Sequence, residues 1–183
     1  MKKIGTLPKL ARIIVEEFVN TKKIPKIEKD ILEDNLLKYF EERAGIFVTI
    51  HKKDGNLRGC IGTISPVQNN IMQEIIHNAI SACSQDPRFL PVQIDELDNL
   101  VYSVSVLQAP EQIDSVDKLD PEKYGVIVAS SFSRRGLLLP RLESIKTVQE
   151  QVYHAMAKGG IRPNEKISLY RFETVEYKEE DEQ

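Results

Sequence analysis

Two cysteines and three histidines are all that this chain of 183 residues offers to cross-links and soft metals. A single pair of thiols cannot make the framework of a disulfide-built scaffold, so Cys60 and Cys83 are expected as reduced thiols in a cytoplasmic protein. Zinc takes four clustered Cys or His ligands, or three at an open site. His51, His77 and His154 are scattered without ligand spacing, and no metal or other cofactor is expected. Charge of one sign is lacking too: 25 basic against 28 acidic residues leave a net charge of −3. That balance removes the pull toward nucleic acid or acidic membranes that a basic chain has. No apolar run approaches transmembrane length, and the first eight residues lack the apolar stretch and cleavage site of a secretory signal. What remains is a soluble protein whose hydrophobic content of 41% suffices for a sizeable core.

Leu7, Leu10, Ile14 and Phe18 recur at helical spacing and predict an amphipathic first helix. Lys22 to Ile27 contains Pro25 and reads as an extended connector. Its lysines, with Lys29, make a solvated loop or, alternatively, a phosphate-binding tract. Asp30 followed by Glu33 resembles a capping box and predicts a second helix through Phe40, ended by Gly45. Ile46 to Ile50 is β-rich, Asp54-Gly55 is a hairpin turn, and Leu57 to Ile64 is the return strand. Pro66 predicts the start of a broad-faced helix carrying Val67, Ile71, Ile75, Ala79 and Ala82, with Asn70, Gln73, Glu74, His77, Ser81 and Ser84 on its wet side. Strands are expected at 101–107, 125–130, 136–139 and 167–177, a helix at 147–158, and a polar connection of little pattern at 108–123. The acidic tail from Glu179 is expected to fray.

The segments 45–107 and 125–177 share a pattern of hairpin, helix and strand. Gly45 corresponds to Gly125, and Arg58-Gly59 to Arg135-Gly136. A period this long points to a duplicated β-β-α-β unit inside a single domain spanning 1–183, rather than a solenoid. Chance agreement of generic patterns is the competing explanation.

The chemistry concentrates at Leu57-Arg58-Gly59-Cys60-Ile61-Gly62. Two glycines weaken a strand and signal a bulge or a close backbone approach. In a regular strand Arg58, Cys60 and Gly62 share a face. A guanidinium beside a thiol favours the thiolate, and Arg58 near a helix N-terminus also suits an anionic ligand. Three readings stay open: Cys60 as a nucleophile, the strand as a ligand or partner contact, and glycines that simply allow close packing. Elsewhere, Arg134-Arg135-Gly136 is an anion site or a solvated strand start. Asp86 is a turn former or a polar site residue, and Glu96 with Asp95 caps a helical turn or lines a cleft. His51, His77 and His154 read as surface residues.

The hexapeptide resembles the signature of the AMMECR domain family. The resemblance extends in order over Gly45 to Ile50, Asp86-Pro87-Arg88-Phe89, Glu96-Leu97, Ser105-Val106-Leu107 with Pro110-Glu111, and Gly136 to Pro140. The chain departs from many members in lacking a tryptophan shortly after Gly160. The resemblance implies an α+β fold of two unequal lobes, with the repeated units forming a barrel-like, mostly antiparallel sheet flanked by helices. It implies no established reaction, and it associates this component with Memo-like and radical SAM proteins. The expected function is therefore a ligand- or partner-binding component, with Arg58, Gly59, Cys60, Gly62, Asp86, Arg88, Glu96 and Arg135 as its candidate residues. A thiol-dependent enzyme using Cys60 is the alternative, and a nucleic-acid-binding regulator is disfavoured. Two structural expectations follow: Arg58 meets Asp86 or Glu96, and Cys60 is largely buried.

Overall fold

The computed structural model describes residues 3–142 and 144–179, which divide into two compact units of unequal size. One runs to Val106 and takes back the chain from Glu176, and the other is Leu107–Val175. The fold is α+β, with two four-stranded antiparallel sheets. The α+β fold of unequal lobes with mostly antiparallel strands, implied by the family resemblance, is thus borne out, its strands falling into two sheets.

In the first unit α1 (Leu7–Thr21) starts at Thr6, whose hydroxyl accepts the Lys9 amide at 3.3 Å, with Pro8 in the first turn. Its buried stripe is Leu7, Leu10, Ala11, Ile14, Val15 and Val19, as the periodicity required. The second predicted helix is broken into a 3₁₀ turn (Lys29–Ile31), the single turn α2 (Asp34–Leu37) and another 3₁₀ turn (Lys38–Phe40). The cause is a parallel bridge between Ile4 and Leu32. Ile4 donates to the Ile31 carbonyl and accepts from the Glu33 amide, both at 2.9 Å, so these groups are taken from any helical ladder.

The first sheet has the order β2-β1-β3-β8, from β1 (Ile46–Lys52), β2 (Leu57–Gly62), β3 (Leu100–Leu107) and β8 (Thr174–Lys178). Gly55, at φ +88°, makes the predicted hairpin turn between β1 and β2. Ile46, Val48 and Ile50 are fully buried on the face that packs against α3 (Ile71–Ser84).

Helix α3 begins later than Pro66. Asn70 is its N-cap, its side chain accepting the Gln73 amide at 2.9 Å, and Val67 is 64% exposed. Glu74, expected on the wet side, is fully buried, and Ser81 is buried as well. The Glu74 carboxylate accepts the Thr63 hydroxyl at 2.6 Å and the amides of Val67 and Gln68 at 2.9 and 2.8 Å. It fixes the loop after β2 by satisfying groups that would otherwise be buried unpaired. Glu179 is not frayed either: it accepts Arg12 Nη2 at 2.8 Å and the Tyr102 amide at 3.0 Å. Residues 180–183 of the expected tail lie outside the described residues.

The second unit's sheet runs β4-β7-β5-β6, from β4 (Glu111–Ile113), β5 (Gly125–Ser130), β6 (Arg135–Leu138) and β7 (Ile167–Phe172). Strand β4 lies inside the segment expected to be a patternless connection. It is three residues long with Glu111 and Gln112 exposed, a polar edge strand that carries no alternation to read. The single strand expected over 167–177 is two, because β7 and β8 belong to different sheets. Helix α4 (Val148–Lys158) has a capping box of Thr147 and Glu150. It packs on a core that includes Val126, Val128, Ala155 and Ile161.

Each unit thus carries hairpin, helix and strand, with the spatial orders β2-β1-β3 and β6-β5-β7. In each, the second hairpin strand offers a glycine to the helix. A Cβ on Gly59 would overlap the Ala82 carbonyl oxygen of α3, and one on Gly136 the Ala155 carbonyl oxygen of α4. Since the obstacle is helix backbone, it cannot swing aside. Gly59→Ala is expected to cost about 2–3 kcal/mol, measured as a lower urea midpoint at unchanged slope. An unchanged midpoint would show that the helix is not held this close.

Candidate functional site

Strand β2 lies at the edge of its sheet, and its pairing with β1 is irregular. Ile50 faces Gly59, but His51 faces Leu57, leaving Arg58 as the extra residue of a bulge. A bulge re-aims the side chain it carries. Arg58 is buried at 8% exposure, and its guanidinium meets Glu96 in a two-point pair, Nε to Oε1 at 2.7 Å and Nη2 to Oε2 at 2.8 Å. The expectation that Arg58 meets a carboxylate is met by Glu96. Glu96 is placed by the 3₁₀ turn Ile94–Asn99, where it also accepts the Gln93 amide at 2.9 Å. Hydrogen bonding to Arg58 is the main cause that draws the Glu96 carboxyl below its ordinary value.

Asp86 follows the end of α3 and is buried at 4% exposure. Its Oδ2 accepts the Cys60 amide at 2.8 Å. Arg88 closes on the same carboxylate with Nε at 2.9 Å and Nη2 at 2.7 Å, while its own amide reaches Oδ1 at 3.1 Å. Arg88 Nη2 also approaches the Cys60 carbonyl at 3.4 Å. The outward backbone groups of Cys60, which an edge strand leaves open, are therefore occupied by a carboxylate and a guanidinium. The Arg88 hydrogen bonds, helped by the Cys60 amide, hold the Asp86 carboxyl well below the usual carboxylate range against the opposing effect of burial. Phe89 lies near both cations, 5.8 Å from the Arg58 guanidinium carbon and 5.4 Å from that of Arg88.

Cys60 pairs with Thr49 across the hairpin, and Thr49 pairs with Ser103 of β3. Cys60, Thr49 and Ser103 form a row of small polar side chains on the sheet face away from α3, with Cys60 Sγ 3.3 Å from Thr49 Oγ1. Cys60 is half-buried rather than largely buried as expected, because its strand is at the sheet edge. Neither cysteine is in a disulfide. Cys83 is sealed in the core, and burial pushes its thiol up to about 11. Gly62 admits the Phe47 ring of the neighbouring strand, where a Cβ would collide with it.

Seven of the eight candidate residues therefore lie on or around β2: Arg58, Gly59, Cys60, Gly62, Asp86, Arg88 and Glu96. Arg135 belongs to the other unit, at the start of β6. The strand-face argument put Arg58 beside Cys60, and the bulge overturns that. It also missed Thr49, Ser103 and Phe89 as site residues; of these only Thr49 had a signal, since alternation along β1 sets it on the face opposite Val48 and Ile50. His77 and His154 are exposed and His51 is half-buried. Among the described residues no three of His, Cys, Asp or Glu gather as a metal would require. No described helix is long and apolar enough to cross a membrane.

Residues 8–177 match the sequence profile of the AMMECR1 family, and the chain belongs to that family. It is 46% identical over 178 residues to a protein of Thermotoga maritima, covering 96% of this chain and 99% of that one. It is 42% identical to the protein CA_C1420 of Clostridium acetobutylicum, where the match covers 93% of this chain and 35% of the longer relative. Among solved structures, the uncharacterised protein PH0010 from Pyrococcus horikoshii superposes with a TM-score of 0.84 at 33% identity, over 95% of this chain and 90% of that one.

The clasp gives a pH signature. Because the folded-state pKa of Asp86 lies below its unfolded value, near 3.9, its stabilisation is present above that value. It is lost as pH falls through the unfolded value toward the folded one. Asp86→Asn is expected to lower stability at pH 7 by about 2 kcal/mol and to flatten the loss of stability below pH 4, as followed by urea midpoints across pH. A variant whose acid limb matches the wild type would rule out the charge on Asp86 as the source.

Proposed function

We propose that this chain is a binding component of a larger cytosolic assembly or pathway, and that its recognition surface is the β2 edge with Cys60, Asp86 and Arg88. One observation carries the proposal: the charged groups that reach the hexapeptide are already paired with one another. Asp86 holds Arg88 and the Cys60 amide, and Glu96 holds Arg58. A general base needs a pKa near the working pH, and both carboxyls are moved the opposite way. Guanidiniums cannot accept a proton at all. The arrangement suits rigid display rather than proton transfer. Arg88, with its side chain 53% exposed, offers a cationic edge beside a half-buried thiol. That the domain makes up almost all of one relative and 35% of another supports a module that works with others. The Memo-like and radical SAM proteins suggested by the family resemblance are the first partners to test. The parallel strand orders and the paired Gly59 and Gly136 contacts support descent of the two units from one duplicated β-β-α-β element.

The alternative is a thiol-dependent reaction at Cys60. In its favour, the thiol is not sealed and Arg88 reaches its carbonyl. The two readings differ in reactivity. With no base supplied by its paired neighbours, Cys60 is expected to react with iodoacetamide at pH 7 no faster than free cysteine, as followed by intact-protein mass spectrometry. A ligand or partner retained through purification is expected to survive Cys60→Ser and to be lost in Asp86→Ala. Stoichiometric alkylation at least tenfold faster than free cysteine would favour the enzyme.

A further inference from the structure

The second unit carries its own cavity, of about 610 Å³, at the hairpin end of its sheet. Arg135 of β6 pairs with Ala129 of β5, and Ala129 pairs with Ser168 of β7. Directly paired residues share a face, so Arg135 and Ser168 flank a methyl group. That face is opposite the one where Gly136 meets α4. The small central side chain opens the space, and Ser130, Ser131, Ser133, Lys166 and Tyr170 complete the polar lining. Ser133 sits at φ +62° in the turn between β5 and β6, and the Ser130 amide donates to the Arg134 carbonyl at 2.9 Å.

The charges around this cavity do not cancel. Arg135 and Lys166 both line it and are exposed. Among the described residues no carboxylate lines it, and neither cation has an ion pair. The nearest acid in sequence, Glu165, is committed elsewhere: it accepts Arg134 Nη2 at 2.5 Å and the Arg162 amide at 2.9 Å. Arg58 occupies the matching place before the paired glycine of the first unit, and there the bulge delivers it to Glu96. The β5–β6 pairing has no such bulge, and Arg135 keeps its charge in the open.

We propose that this cavity binds the phosphate group of a small phosphorylated molecule. Two cations balance the charge of close to −2 that a phosphate monoester carries at neutral pH, whereas a carboxylate would balance one. The planar guanidinium fork matches two phosphate oxygens, and the lysine acts as a point charge. The serine and tyrosine hydroxyls supply further donors. The volume falls in the range of small-molecule sites, roughly 300–1,000 Å³. The site lies in the second unit and stands or falls independently of the binding surface at Cys60.

The test is an NMR titration of the full chain with inorganic phosphate and with phenyl phosphate, at ionic strength held constant with chloride, and with acetate as a comparison. Saturable amide shifts are expected at residues 129–135 and 166–170, with phenyl phosphate binding more tightly than inorganic phosphate and acetate at least tenfold more weakly. Arg135→Gln and Lys166→Gln should each weaken phosphate binding tenfold or more while leaving the unfolding midpoint in place, since both side chains are exposed. Shifts that never saturate, that acetate reproduces, or that persist in both variants would overturn the site. Binding of inorganic phosphate with phenyl phosphate excluded would reduce it to an adventitious ion only.

Discussion

A single carboxylate, Asp86, ties together the parts of the first unit that the family signature brings into one place. It comes from the segment that follows α3, yet it accepts the amide of Cys60 on the edge strand β2 and anchors Arg88, which turns back to the Cys60 carbonyl. A buried carboxylate is costly unless several donors meet it, and here three groups do. The clasp performs at Cys60 what a further strand would do, closing the edge without extending the sheet. Presentation of the Arg88 cation beside Cys60, and the nearness of Phe89 to two guanidiniums, go with that closure.

The two units use one architectural device and then diverge in charge. In each, a glycine on the second hairpin strand lets a helix backbone approach until no side chain fits. The preceding arginine has opposite fates. A bulge turns Arg58 inward to Glu96, so its charge is spent on structure. A regular pairing leaves Arg135 on an open face with Lys166. The difference of one residue in register thus separates a structural cation from one available to a ligand.

Much of this was visible in the residues. The period of α1, the Asp54-Gly55 turn and the helix expected at 147–158 are legible because each depends on local chemistry. So is the need of Arg58 for a carboxylate, since desolvated guanidinium demands a partner. The failures share a cause: long-range hydrogen bonding overrode a local signal. Asp30 and Glu33 look like a capping box, but Ile4 bridges to Leu32 and breaks the helix. Glu74 belongs to the polar side by spacing, yet it is buried to hold the loop at Val67 and Gln68. Alternation placed Arg58 beside Cys60, and a bulge that no single sequence announces moved it. Strand β4 was missed because a short polar edge leaves no pattern.

The central claim is that Asp86 closes the β2 edge at Cys60, and amide hydrogen exchange of Cys60 tests it most directly. In an edge strand this amide would otherwise face water. The account predicts strong protection in the wild type. In Asp86→Ala it predicts exchange faster by at least 100-fold, on the order of the loss of a ~3 kcal/mol charge-assisted hydrogen bond, while the amides of β1 stay protected. Equal protection of the Cys60 amide in the two proteins would contradict it.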